Sequence, residues 1–96
     1  MVARMTTNAQ WIKLDPERVV LALHQEAVEK VNHAEGEVVL DFSGVRRIDS
    51  SVVRGLEELA GLADDKSVKV VLRAVNMDIY RVLKLLKLTH RFSFQT

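Results

Sequence analysis

The chain of 96 residues has no cysteine, which excludes disulfides and thiolate metal sites. It also lacks a charge excess, with 14 Lys+Arg against 13 Asp+Glu and a formal net charge of +1. Nucleic-acid-binding domains usually carry a strong basic excess, so no nucleic-acid partner is expected. The apolar runs are only a few residues long, whereas a membrane span needs roughly 20. Met1–Gln10 (MVARMTTNAQ) has no apolar stretch of signal-peptide type, and the expected compartment is the cytoplasm. A hydrophobic fraction of 48% beside 28% charged residues is the balance of a soluble globular chain. One domain over residues 1–96 is expected, with 1–10 flexible or forming a partial edge strand.

Catalytic signatures are missing too. The glycines Gly36, Gly44, Gly55 and Gly61 are scattered, so neither a phosphate-binding loop nor a dinucleotide fingerprint exists. A nucleophile elbow needs glycines on both sides of its serine. The sequence around the best candidate is Ile48-Asp49-Ser50-Ser51-Val52, and it fails that test. The histidines His24, His33 and His90 fall at a helix flank, a helix end and a near-terminal loop, so none is placed as a base. No His or carboxylate pair has metal-site spacing. No enzyme, metal or cofactor is expected.

What the chain does have is alternation of strands and helices. Trp11-Ile12-Lys13-Leu14 reads as a short strand, and Asp15-Pro16 as a helix start with proline in the first turn. Val19, Val20, Leu23, Ala27, Val28 and Val31 then make one apolar stripe, ended by Ala34-Glu35-Gly36. Glu37–Phe42 (EVVLDF) is a nearly continuous apolar run, as for a strand covered on both faces. Ser50 or Ser51 opens a second helix with Val52 or Val53, Leu56, Leu59, Ala60 and Ala63 inward, closing at Asp64-Asp65-Lys66. Val68–Ala74 (VKVVLRA) is the next strand. Asn76 caps a third helix, with Ile79, Val82, Leu83 and Leu86 inward and Arg81, Lys84 and Lys87 outward. Phe92–Phe94 is a short closing strand. This order implies an α/β fold, a small and mostly parallel sheet with alternating helices packed on it.

The chemistry concentrates at Asp49-Ser50-Ser51, where a buried strand passes through a loop into a helix. Helix starts have unpaired N–H groups and a positive dipole end. A serine hydroxyl there can cap the helix for ~1 kcal/mol. Equally, it can accept a phosphoryl group of roughly −1.5 to −2 charges, expelling a partner docked through acidic or apolar groups. Spacing does not choose between these readings. The basic set Arg81, Lys84, Lys87, His90 and Arg91 reads as a solvated helix face complementing the helix dipole.

Four segments in order resemble the STAS domain, the fold shared by sulfate-transporter tails and anti-sigma-factor antagonists. Val38–Ser51 (VVLDFSGVRRIDSS) is similar to the family's strand, its D-L-S-G-V turn and its I-D-S-S switch. Val68–Arg81 (VKVVLRAVNMDIYR) resembles the next strand with the V-N-P-x-V-R-R helix entry. Val82–Phe92 (VLKLLKLTHRF) looks like the final helix, and Leu14-Asp15 falls where the family has G-x-L-D. The resemblance implies partner switching. Ser50 is then the phosphoacceptor of an anti-sigma-factor serine kinase, and a phosphatase resets the cycle. Asp49 shapes its surroundings, Ser51 is the neighbouring hydroxyl nearer the cap, and Ser43-Gly44 form the supporting turn.

The departures from that pattern carry their own implications. Antagonists continue with small residues after the serines, where this chain has Val52-Val53-Arg54-Gly55. Val52 and Arg54 add bulk on the surface a kinase approaches, and Arg54, one turn after Ser50, suits a phosphate or an acidic partner. These two residues favour the alternative, a non-switching STAS scaffold of a stress-signalling assembly or a subunit of a lipid-transport ABC complex, whereas the intact Ile48-Asp49-Ser50-Ser51 favours the switch. Lys87 replaces a glycine late in the last helix. The family's N-terminal hairpin is shortened, leaving a less protected sheet edge at which Trp11 is expected to support a homodimer or partner contact.

Overall fold

A computed structural model describes residues 10–34 and 36–95. Four strands, β1 (Gln10–Lys13), β2 (Glu37–Asp41), β3 (Lys69–Arg73) and β4 (Ser93–Gln95), form one sheet in the order β1-β2-β3-β4. Every neighbouring pair is parallel. Between them run a first helical rod, α3 (Ser50–Lys66) and α4 (Met77–Leu85), with a short 3-10 turn Thr89–Arg91 before β4. The α/β expectation holds, with a sheet that is wholly parallel among the described residues. Met1–Ala9, where the shortened hairpin was expected, lie outside the described residues.

Strands laid down in sequence order with right-handed crossovers bring every helix to the same side of the sheet. The described helices do share one core with one face of the sheet. Ile12, Val38, Leu40, Val70 and Leu72 face one way and share a single core with the buried residues of all the helices. The alternate residues turn to the other face, where register aligns Trp11, Val39, Val71 and Ser93 in one row and Lys13, Asp41, Arg73 and Gln95 in the next. Val39 and Val71 are buried but lie outside that core. Val38, Val39 and Leu40 are all buried, so β2 is covered on both faces, as its continuous apolar run implies. Across this face Arg73 stands 5.5 Å over the Trp11 ring and 3.9 Å from the Asp41 carboxylate, while Trp11 keeps 54% of its surface exposed.

The first rod departs from its sequence reading at its start. Asp15 does not cap it. The Asp15 carboxylate accepts from the N–H of Glu17 at 2.9 Å, closing a local turn that competes with capping. The rod begins at Val19, and Arg18 supplies no side-chain cap. It comprises α1 (Val19–Leu21), a π-helical turn Ala22–Glu26 and α2 (Ala27–His33). Leu23, in the π turn, is buried against α3 at Gly55. A Cβ on Gly55 would lie 3.2 and 3.3 Å from Leu23 atoms, so the absent side chain is what lets rod and helix approach.

The end of α4 also differs from expectation. Leu86 is not inward but 50% exposed, and Leu85 is 77% exposed. The helix stops at Leu85, and Lys87, rather than sitting late in the helix, follows it with φ 60°. Lys87 N–H donates to Lys84 O at 3.0 Å and Leu88 N–H to Leu83 O at 2.9 Å, the paired bonds of a Schellman turn. That left-handed residue swings the chain round so that Leu88, not Leu86, fills the core. The closing strand sits one residue later than expected, at Ser93–Gln95.

Candidate functional site

All four strands point the same way, so α3 and α4 both begin at the carboxyl edge of the sheet. Asp49 is extended (φ −114°, ψ −176°) and its carboxylate accepts from the Val52 N–H at 3.0 Å. Asn76 does the same at α4, where its Oδ1 accepts from Ile79 N–H at 2.8 Å. Asn76 also donates from Nδ2 to Arg46 O at 2.9 Å, fastening the loop before α3 to the start of α4.

The cap of α3 is therefore the aspartate and neither serine, which corrects the expectation that Ser51 is nearer the cap. A carboxylate placed one residue before the helix reaches the third helical N–H, and it outcompetes hydroxyls already inside the helical turn. Ser50 and Ser51 are the first two helical residues and both are exposed. Among the described residues neither hydroxyl makes a side-chain hydrogen bond. The first turn of α3 contains no acidic residue, unlike that of α4, which holds Asp78. The positive end of the α3 dipole is thus met only by the capping carboxylate.

Val52, expected to add bulk at the surface, is buried at 6% exposure. Its β-branched side chain points into the core because the third helical position lies on the inner stripe. Val53 is half-buried and Arg54 exposed, so of the replaced small residues Arg54 alone projects fully outward. An open groove beside Asp49 is lined by Pro16–Leu21 and His24 on one wall and Arg47–Asp49 and Val52 on the other.

Ser43 and Gly44 lie at the same edge but in a separate turn. Asp41 holds that turn, accepting from the Ser43 N–H at 2.9 Å. That bond, helped by the Ser43 side chain and by the positive charges of Arg73 and Lys13, lowers the Asp41 carboxyl pKa below its ordinary value against an opposing effect of burial. Gly44 faces Pro16 and the Leu14 carbonyl at ordinary contact distance and has no positive φ. The structure brings Asp49, Ser50, Ser51, Val52 and Arg54 together on the opening turns of α3, and sets Ser43-Gly44 against the Leu14–Pro16 segment instead. Sequence reasoning missed Asn76 as a tie to the α3 loop and Gly55 as a contact point. A helix-interior glycine gave the only signal of the latter.

A family model described as "Mlab, STAS domain" matches residues 13–94, and the chain belongs to the STAS family. A Thermotoga maritima crystal structure, of a protein assigned as an anti-sigma factor antagonist, is 18% identical with a TM-score of 0.77 and covers 97% of this chain and 83% of that one. An anti-sigma-factor antagonist (STAS) domain protein from Planctomyces limnophilus is 15% identical with a TM-score of 0.76, over 90% of this chain and 80% of that one. An NMR structure of the Thermotoga protein gives 19% identity and a TM-score of 0.73, over 95% and 76%. No curated protein matches the chain. At these identities the structures establish a shared fold. No described helix is long and apolar enough to cross a membrane.

Proposed function

We propose that this STAS domain is a cytoplasmic partner-switching regulator that acts by binding rather than catalysis, with Ser50 as its phosphoacceptor. The observation that carries this reading is the Asp49 cap. It satisfies the helix start without a serine and leaves two exposed hydroxyls with no structural task. A phosphate on Ser50 would sit at the positive end of α3, with Arg54 one turn further along the helix. A serine kinase of the anti-sigma-factor type and a phosphatase are the partners proposed. The test is incubation with ATP and an extract of the source cell, read by phosphopeptide mass spectrometry. Ser50 should be labelled in wild type and unlabelled in Ser50→Ala, and Ser50→Asp should lose a partner that wild type retains. Labelling that persists in Ser50→Ala would move the site, with Ser51 the first place to look.

Arg54 favours a second reading, a permanently docked scaffold or transport-complex subunit, because a long cation replaces a small residue on the docking surface. Under that reading Ser50→Asp and wild type hold the same partners, whereas Arg54→Ala releases them. Self-association through β1 and Trp11 belongs to either reading, since β1 pairs on one side only among the described residues. A monomer by light scattering at high concentration, with Trp11 fluorescence unchanged on dilution, would refute it.

A further inference from the structure

The surface of α4 and the turn after it carries an unexplained combination. Leu85 and Leu86 are adjacent and exposed at 77% and 50%, and they are bracketed by Lys84 and Lys87, with Arg81 one turn earlier. Cations near the end of a helix complement its dipole, which accounts for the lysines. It does not account for two leucines held in water beside them. Isolated exposed apolar side chains are ordinary, but here an adjacent apolar pair is exposed at the helix end, just before the left-handed turn at Lys87. The acids nearby are few. Asp64 is engaged by Arg91 at 3.0 Å, Asp65 follows it on α3, and Asp78 lies at the far end of α4. Arg81, Lys84 and Lys87 make no ion pair among the described residues.

We infer that this helix end is a docking surface for an anionic lipid bilayer, with Leu85 and Leu86 entering the headgroup boundary and Arg81, Lys84 and Lys87 meeting acidic headgroups. Exposed apolar side chains interleaved with lysines suit an interface where carbon sinks and charge stays at the surface. A bilayer accepts exposed apolar side chains without a matching cavity. Charge selects the acidic kind of bilayer, since each cation near such a surface adds attraction and three are available. The Arg91–Asp64 bridge puts this end of α4 beside the end of α3, away from Ser50. Membrane docking would leave the Asp49-Ser50-Ser51 surface open to a protein partner.

Co-sedimentation of the whole chain with phosphatidylcholine vesicles, with and without phosphatidylglycerol, tests this. Binding is expected to the acidic vesicles and to fall steeply with added salt, with little binding to the neutral ones. Lys84→Glu/Lys87→Glu should weaken binding by about tenfold or more, and Leu85→Ser/Leu86→Ser should weaken it by a comparable factor. Both pairs are exposed, and unchanged circular dichroism will show that the fold is kept. Absence of binding to acidic vesicles, equal binding to neutral ones, or full binding by both folded variants would each overturn the proposal. An acidic protein captured by this face without any vesicle binding would overturn it as well.

Discussion

The two ends of α3 and α4 are built on opposite terms. At the carboxyl edge of the sheet both helices begin with a residue suited to the place, Asp49 or Asn76, each accepting from the third helical N–H. At the other end both finish on left-handed residues unsuited to it, Ser67 at φ 58° and Lys87 at φ 60°. None of the described glycines occupies such a conformation. Left-handed backbone costs a non-glycine residue roughly 1–2 kcal/mol. What holds it here is the residue that follows, Val68 after α3 and Leu88 after α4, each buried and each donating back to the helix. The helix starts have hydroxyls to spare, although Ala74 in the loop before α4 is also left-handed at φ 60°, while the helix ends are held in place by core packing.

Asn76→Ala should give the largest effect, since it removes the cap and the tie to Arg46 together. A loss of about 2 kcal/mol is expected in urea unfolding. Asp49→Ala removes a cap alone and should cost about 1 kcal/mol. Equal costs for the two would show that the Arg46 tie contributes nothing. Lys87→Gly should work in the other direction, stabilising by about 1 kcal/mol as the strain is relieved. A destabilised Lys87→Gly protein would mean that the lysine contributes more at this turn than its backbone costs.

The contrast also explains what could be read in advance. Capping by Asn76, the inward stripe of α3 and the parallel β2–β3 core were legible because each rests on local spacing. Asp49 was recognised as important but not as the cap, because three adjacent residues of that stretch are all capping types and only backbone geometry decides among them. The misplacement of Leu86 has a similar cause. Helical periodicity continues through Lys87 in the sequence, and nothing local announces a left-handed turn at a lysine. The π turn at Ala22–Glu26 and the close approach at Gly55 arise from two helices meeting, which no single segment encodes. At the candidate site the residues themselves were legible. The burial of Val52 was not, and it narrows the departure from other family members to Arg54.

A smaller effect should come from Asp41, which steadies the carboxyl-edge turn. Its folded pKa lies below the ordinary value of 3.8, so the unfolded chain takes up a proton first as pH falls. Its contribution is therefore complete above 3.8 and is lost as pH drops through the lowered folded value. Unfolding curves of wild type and Asp41→Ala should differ near neutral pH and converge in stronger acid. A gap that stays constant across that range would remove the ionised carboxylate from the account.

The smallest effect on stability is expected at the residues that matter most for the proposed function. With Asp49 already bonded to the Val52 N–H, the hydroxyls of Ser50 and Ser51 support no hydrogen bond that the fold needs. Ser50→Ala and Ser51→Ala should each change unfolding free energy by less than about 0.5 kcal/mol. Alanine is also the better helix former, so even the sign of the change should lean towards stabilisation. A loss of about 1 kcal/mol in either variant would return that serine to a capping role and weaken the case for a spare hydroxyl. If both stay neutral while only Ser50→Ala abolishes labelling in the presence of ATP and cell extract, stability and signalling are separated within two consecutive residues. The cap then belongs to Asp49 and the switch to Ser50, and a phosphate can come and go without the helix start depending on it.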